Sequence, residues 1–394
     1  CGQRAALVQW CVALVCMLFI PSLSRYSVAA VRHGVHSLSS VAASSLAGDV
    51  PSSFRMSDST RLLVDGVLKR NRLALSRALT LVESSNPDHQ IQSHFLLNEL
   101  QMHLQQQSHH SRPSTLRVGL SGTPGVGKST FIEHLGCILC REHSLKVAVL
   151  AVDPSSSFSG GSILGDKTRM THLSNEPNAF VRPSPTRGYL GGVTERTFEM
   201  ILVCEAAGYD VILIETVGVG QSEVIVETMC DLSVLLVAPG GGDDLQGMKK
   251  GIVEIADFVV VNKADGNLMP AAREAFSSYS EALKLARPRH QHWSPKVLLN
   301  SCRNDEMLRM VWSEFSRFQG VVQETGELHR KRQIQLQNWI RKQIDKEIHY
   351  LIYSNPKIEE TLRAVQQQAY VGSLSPREAA QQVLQKCGIR WQSE

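Results

Sequence analysis

Residues 122–129 read Gly122-Thr123-Pro124-Gly125-Val126-Gly127-Lys128-Ser129, a full match to G-x-x-x-x-G-K-[ST]. A run of this kind leaves a chain few ways to fold. The glycines let the backbone curl so that successive N–H groups point inward at an anion. A helix starting at the same place adds positive potential there. Such a loop needs a strand before it and a helix after it. The apolar run Leu116–Leu120 supplies the first, and Ser129–Cys140 predicts the second. In that setting Lys128 reaches the β- and γ-phosphates of a nucleotide, the Ser129 hydroxyl is placed to ligate Mg²⁺, and Thr130 follows in the first turn.

The texture downstream agrees. Short runs rich in Val, Ile and Leu recur at Leu116–Leu120, Val147–Val152, Val211–Ile214, Leu232–Val237, Phe258–Val261 and Val297–Leu299, with helical stretches between them. Near-continuous apolar strands alternating with helices predict a parallel sheet covered on both faces, an α/β P-loop nucleoside triphosphatase fold. The expected organisation is a leader over 1–50, an N-terminal helical region over 56–107, a nucleotide-binding domain over 114–320 and a helical C-terminal region over 321–394. In the N-terminal region Leu62, Leu63, Val67, Leu68, Leu73, Leu75, Ala78, Leu79 and Leu81 recur at helical spacing. Gln105 to Pro113 reads as a polar linker, and its His109 and His110 have no third ligand nearby to make a metal site. The C-terminal region predicts a long polar helix around Glu327–Tyr350 and a final helix over Ser375–Cys387, started by Ser375 and Pro376.

A second motif chooses the base. Asn262-Lys263-Ala264-Asp265 follows the strand Phe258–Val261 and reads N-K-x-D. Asp265 can accept from both N1–H and the exocyclic amine of guanine. Adenine would present the carboxylate with a bare lone pair and leave a charge unpaired. Lys263 would lie along the base, and Asn262 would tie this loop to the phosphate loop. Between the motifs, strand Val211–Ile214 ends in Glu215-Thr216-Val217-Gly218. Its carboxylate can hold a Mg²⁺-bound water and the Gly218 N–H can sense a γ-phosphate. The acid is Glu, one methylene longer than the Asp that P-loop GTPases usually carry here. Asp153 and Asp166, in loops expected on the nucleotide side, complete the candidate catalytic and metal-binding acids with Lys128, Ser129 and Glu215.

Composition narrows the class. Apolar residues make up 43%, enough for a sizeable core, and the net charge of +4 comes with no dense Lys/Arg block, which argues against nucleic acid as partner. Cys137 and Cys140 form C-x-x-C, but they fall inside the helix expected after the phosphate loop and no second Cys or His pair has zinc spacing. All nine cysteines are expected as free thiols in a reducing compartment. The first 48 residues carry Arg4, Arg25 and Arg32, many Ser and Ala and no acid, the composition of a mitochondrial transit segment. The apolar run Ala5–Ile20 is short for a membrane span but long enough for a secretory core, so secretion or anchoring stays open at this point.

The runs AVDPSSSFSGGSILGDKTRM, RPSPTRGYLGGVT, ILIETVGVGQSE and GGDDLQGMKKGI resemble signature stretches of the MeaB/ArgK-type GTPases, and the similarity extends from about residue 58 to about residue 390. The resemblance implies a GTP-hydrolysing chaperone that binds GTP and GDP with Mg²⁺, located in the mitochondrial matrix in animals. It implies a homodimer formed through a helical C-terminal arm. It also implies a role in gating adenosylcobalamin loading and in protecting methylmalonyl-CoA mutase, with the adenosylcobalamin-delivery enzyme as a further partner. It assigns Lys128 and Ser129 to the phosphate loop, Asp153, Asp166 and Glu215 to metal and catalysis, and Asn262, Lys263 and Asp265 to the base. The Gly240–Lys250 loop becomes the partner-sensing segment, with Lys249 or Lys250 as an activating cation. Two departures stand out. Asp244 replaces the usual Glu of that loop. The base-closing loop reads Ser301-Cys302-Arg303-Asn304-Asp305-Glu306-Met307 without its glycine, leaving Ser301 and Cys302 to approach the guanine. A phosphotransferase acting on an amino acid or protein, a metal-insertion GTPase and a non-hydrolysing scaffold are the competing classes. The chain shows neither an acceptor signature nor Cys/His metal motifs for the first two.

Overall fold

In the computed structural model, residues 55–107, 115–153, 170–185, 190–216, 228–240, 254–285, 289–353 and 356–388 are described. Three helices open this part: α1 (Asp58–Leu68), α2 (Arg72–Glu83) and α3 (Pro87–Gln107). Ser57 and Asn71 cap the first two, each side chain accepting from backbone N–H groups of the first turn. Helix α3 takes in Gln105–Gln107, so the linker expected from Gln105 starts at least three residues later; glutamine is a good helix former, and its polarity alone does not end a helix. His109, His110 and the leader lie outside the described residues.

The sheet follows as β1 (Leu116–Gly122), β2 (Val147–Asp153), β3 (Ala179–Pro185), β4 (Val211–Thr216), β5 (Leu232–Val237), β6 (Phe258–Val261) and β7 (Lys296–Leu299). Every pairing is parallel and the order is β3-β2-β4-β1-β5-β6-β7. The connecting helices are α4 (Lys128–Arg141), α5 (Thr171–Asn175), α6 (Leu190–Ala206) and α7 (Met269–Leu285). After β7 come α8 (Asp305–Glu324), α9 (Glu327–Tyr353), α10 (Pro356–Tyr370) and α11 (Pro376–Lys386). Strand side chains alternate between two buried layers. Val118, Leu120, Val149, Leu213, Val234 and Phe258 face α4 and α8 through Phe131, Ile132, Leu135 and Phe315. Ala148, Leu150, Ile212 and Ile214 face α6 and the three N-terminal helices. The N-terminal helical region thus completes the second face of the sheet.

Strand β3 escaped the sequence reading because Pro183 and Pro185 argue against a strand. It lies at the sheet edge and pairs only with β2, where a missing donor costs nothing on the open side. The boundary expected at 320/321 falls inside α8, and the first turns of α9 are fastened to the starts of the strands. Arg332 donates from Nε to Asp231 Oδ1 (2.9 Å) and from a terminal nitrogen to Asp231 Oδ2 (2.6 Å). Lys331 donates to the Asp231 carbonyl (2.8 Å), and Gln335 to the Cys230 carbonyl (2.8 Å). Trp339 stacks on Phe198 of α6 with ring centroids 4.5 Å apart. Along α9 the apolar side chains of Ile334, Ile344 and Ile348 meet solvent, while Ile352 turns in against α10 and α11. The last helix starts as the sequence indicates, with Ser375 and Glu378 closing a capping box and Pro376 at the first turn. Among the described residues no helix is long and apolar enough to cross a membrane.

Candidate functional site

The C-terminal ends of β1, β2, β4, β6 and β7 share one edge of the sheet, the edge where open parallel sheets bind ligands. Gly122 ends β1 with φ +150, and a Cβ there would stand 2.4 Å from the Leu236 carbonyl oxygen of β5, so the loop leaves the sheet through a gap only glycine fits. The backbone then turns through Thr123, Pro124, Gly125 and Val126 to Gly127, the left-handed N-cap of α4 with φ +98. A Cβ at Gly127 would fall 2.8 Å from Asn262 Nδ2. Lys128 is buried, and its ammonium donates to the carbonyls of Gly122 (2.7 Å) and Thr123 (3.2 Å), so it bridges the mouth of its own loop. Thr130, one residue past Ser129, is exposed.

Ser129 and Glu215 meet although 86 residues separate them. The Ser129 hydroxyl donates to Glu215 Oε1 at 2.8 Å, and Glu215 is 5% exposed. The register brings this about, since Glu215 on β4 pairs with Leu120 on β1 and Ala151 on β2. A hydroxyl at a helix start beside a buried carboxylate is the hard-oxygen donor set that suits a magnesium ion, so these two residues fit the metal. The backbone of Asp153 ends β2 at the same edge, in line with Pro185 of β3. Asp166, Gly218 and residues 241–250 with Asp244, Lys249 and Lys250 lie outside the described residues.

The base-motif loop is attached to the phosphate loop by two side chains. Asn262 Nδ2 donates to the Val126 carbonyl at 3.0 Å, and Lys263 Nζ donates to the Gly125 carbonyl at 2.8 Å. Lys263 takes φ +57, a left-handed conformation that a non-glycine residue adopts at some cost, about 1–2 kcal/mol. The Asp265 carboxylate is held from behind: the Ser301 hydroxyl donates to Oδ2, and the exposed Arg303 guanidinium lies 3.6 Å from Oδ1. The loop after β7 keeps its grip on Asp265 without the missing glycine. Cys302, half-buried beside Asn262, has a thiol whose pKa burial raises.

Asn300 was missed in the sequence. It is the last residue before Ser301, fully buried, and its Nδ2 donates to Asn262 Oδ1 at 2.8 Å. The one available signal was a polar residue closing the apolar strand Lys296–Leu299. Cys137 and Cys140 are buried in α4 as expected; burial raises both thiols, Cys140 to about 11, which keeps them unreactive. No group of His, Cys, Asp or Glu among the described residues could hold a metal on its own.

A parallel sheet with a glycine-wrapped loop closed by a buried lysine, and a second loop tied to it through asparagine and lysine, defines a P-loop nucleotide-binding protein. Residues 75–357 match the family described as Methylmalonyl Co-A mutase-associated GTPase MeaB, and the chain belongs to that family of P-loop GTPases. It is 46% identical over 335 residues to the mouse protein named "Methylmalonic aciduria type A homolog, mitochondrial", covering 84% of this chain and 80% of that one. It is 43% identical over 328 residues to "GTPase ArgK" of Escherichia coli (strain K12), covering 83% and 95%. A crystal structure titled "LAO/AO transport system kinase" superposes with a TM-score of 0.63 at 35% identity, covering 84% of this chain and 97% of that one.

Proposed function

We propose that the chain binds GTP with Mg²⁺, hydrolyses it to GDP and phosphate, and uses this cycle to gate adenosylcobalamin loading of methylmalonyl-CoA mutase and to protect or reactivate that enzyme. The observation that carries the nucleotide part is the attachment of the base loop to the phosphate loop at Val126 and Gly125. In this reading the backbone N–H groups of 123–128 and the Lys128 ammonium hold the β- and γ-phosphates. Asp265, steadied by Ser301, accepts from guanine. Ser129 and Glu215 hold the magnesium ion, with Asp153 and Asp166 as the further acids. The ion neutralises charge that builds up on the phosphate oxygens. Glu215 keeps the Ser129 hydroxyl turned toward the strand ends, and Asn262 fixes the distance from base to phosphates.

The partner reading rests on the family description and on relatives named for methylmalonic aciduria. The mitochondrial matrix is the proposed location, a homodimer through the distal part of α9 and the helices after it the proposed assembly, and the adenosylcobalamin-delivery enzyme a further partner. The exposed Ile344 and Ile348 support the dimer. The experiment is GTP turnover by the full chain with and without methylmalonyl-CoA mutase. Turnover is expected to be slow alone and faster with the mutase, up to the ~10³–10⁵-fold that a supplied cation and fixed water give in such sites. No stimulation would remove the chaperone role.

One relative's title favours a second reading, transfer of the γ-phosphate to an acceptor. Phosphate released in the absence of any acceptor separates the two.

Base choice has its own test. Asp265→Asn is expected to weaken GTP binding about 10–100-fold, by leaving two guanine donors unpaired, and to improve binding of xanthosine triphosphate, whose C2 carbonyl suits an amide donor. Competition of both nucleotides against labelled GDP reads this directly. An unchanged preference for GTP would take Asp265 out of the base site.

A further inference from the structure

Asn262 has one amide group and two duties at opposite ends. Its Nδ2 must face the Val126 carbonyl, because Oδ1 in that place would set two oxygens against each other. Its Oδ1 therefore points away from the phosphate loop into a buried region and needs a donor there. Two groups reach it: Asn300 Nδ2 at 2.8 Å and, much more weakly, the Cys302 thiol at 3.7 Å. Asn300 is itself fixed by the backbone on both sides. Its N–H donates to the Val261 carbonyl (2.8 Å) and its carbonyl accepts from Ala264 N–H (2.9 Å), so its amide projects from a rigid junction of β6 and β7.

A feature of Asn300 marks the arrangement as more than filler. Its Oδ1 is buried with no hydrogen-bond partner, and Asn300 is 0% exposed. A buried polar atom without a partner opposes folding, and a leucine of similar size would remove this oxygen while taking from Asn262 Oδ1 its close donor. What an amide supplies here, at the cost of its own orphan oxygen, is the donor facing Asn262.

We propose that Asn300 is a positioning residue for guanine nucleotide: its amide donor sets the orientation of Asn262, and through the Asn262–Val126 bond it holds the base loop and the phosphate loop in register. The inference rests on the guanine-nucleotide reading of the site. It assigns Asn300 no contact with the nucleotide; its whole effect passes through Asn262.

The test uses the full chain, GDP carrying a fluorescent ribose label, and release rates after dilution into excess GDP. Asn300→Leu removes the donor and the orphan oxygen together. Release is expected to quicken about tenfold, the worth of one buried hydrogen bond, while the melting temperature of the nucleotide-free protein moves little, because the orphan Asn300 Oδ1 is exchanged for an Asn262 Oδ1 left with only the weak Cys302 contact. Asn300→Asp, an acceptor facing an acceptor, should release at least as fast as the leucine variant. In an Asn262→Ala background the leucine substitution should have no further effect, because the two changes break one chain of contacts. Equal effects of Asn300→Leu in both backgrounds, or parent-like release by the leucine variant, would overturn the inference. Failure of the parent itself to bind the labelled GDP would overturn the nucleotide reading and this inference with it.

Discussion

Lys128→Ala is expected to bring GTP turnover below detection while the chain still folds. The ammonium is buried at the mouth of the loop, within hydrogen-bond distance of the Gly122 and Thr123 carbonyls. Phosphoryl transfer asks the protein for little covalent chemistry; it asks for charge neutralisation and positioning around the moving γ-phosphoryl group. A preorganised donor at such a position is worth ~10²–10³-fold in rate when removed, and a full positive charge near the phosphate oxygens is at the upper end of that range or beyond. Lys128 belongs to none of the apolar clusters, so its truncation removes its bonds to the loop carbonyls and leaves those clusters intact. The melting temperature in the absence of nucleotide should stay within ~4 °C of the parent. Phosphate release under saturating GTP measures the first part, and a thermal scan the second. Turnover at the parent's rate would take this loop out of the active site.

That prediction could be made from eight consecutive letters, which explains why so much of this site was legible. The phosphate loop needs a strand before it, a helix after it and glycines where the backbone takes φ values of +81 to +150, and each demand is local. The base motif is nearly as local. Leu232–Val237 and Phe258–Val261 occupy the strands expected of them to the residue, because a strand buried on both faces shows as an unbroken apolar run. Strand β3 was illegible for the converse reason: its prolines carry the local signature of a loop, and its edge position, which tolerates them, is a property of the assembled sheet.

Within the site, the missed residue follows the same logic. Asn300 is an asparagine at a strand end, a place where asparagine usually starts a turn. Its role depends on Asn262, 38 residues earlier, turning its carbonyl oxygen toward it. The Ser129–Glu215 pair was expected from motif order, yet the contact itself comes from strand register, which the sequence does not display. The boundary of the C-terminal arm was illegible for a further reason. Arg332 and Lys331 look like ordinary surface charges on a polar helix until Asp231 and Asp257, far earlier in the chain, are placed beneath them.

The largest stability effect is expected at that junction. Asp231 precedes β5 and its side chain has no exposure to solvent. It accepts from the Arg117 backbone N–H at 2.9 Å and from two nitrogens of Arg332. Arg332 also donates to the Thr115 carbonyl at 2.6 Å, while Arg117 pairs with Glu205 through two bonds of 2.7 and 2.8 Å. Burial alone would raise the Asp231 pKa, but the Arg332 and Arg117 charges outweigh it and hold the carboxyl below its usual range. Asp257 before β6 is held low in the same way against burial, by Lys331, His290 and Arg289. Arg332→Met keeps the side chain's apolar stem and removes its charge, stranding Asp231 as a buried anion. Breaking one partner of such a pair costs about 3–5 kcal/mol, which lowers the melting temperature by roughly 5–15 °C in a chain of this size. Adding Asp231→Asn should recover part of the loss, since an amide still accepts from the Arg117 N–H and carries no charge to strand. The acid limb moves as well. With both carboxyls held low in the folded parent, protons bind the unfolded chain first, so stability is full above the unfolded value and falls as pH drops below about 4. In Arg332→Met burial of Asp231 is no longer opposed by its main partner, and acid unfolding should begin at a higher pH. Melting curves of parent, single and double variants, run without nucleotide across a pH series, carry the whole test. A single variant that melts with the parent, or a double variant that melts below the single, would mean that the first turns of α9 do not fasten the strand starts through this pair.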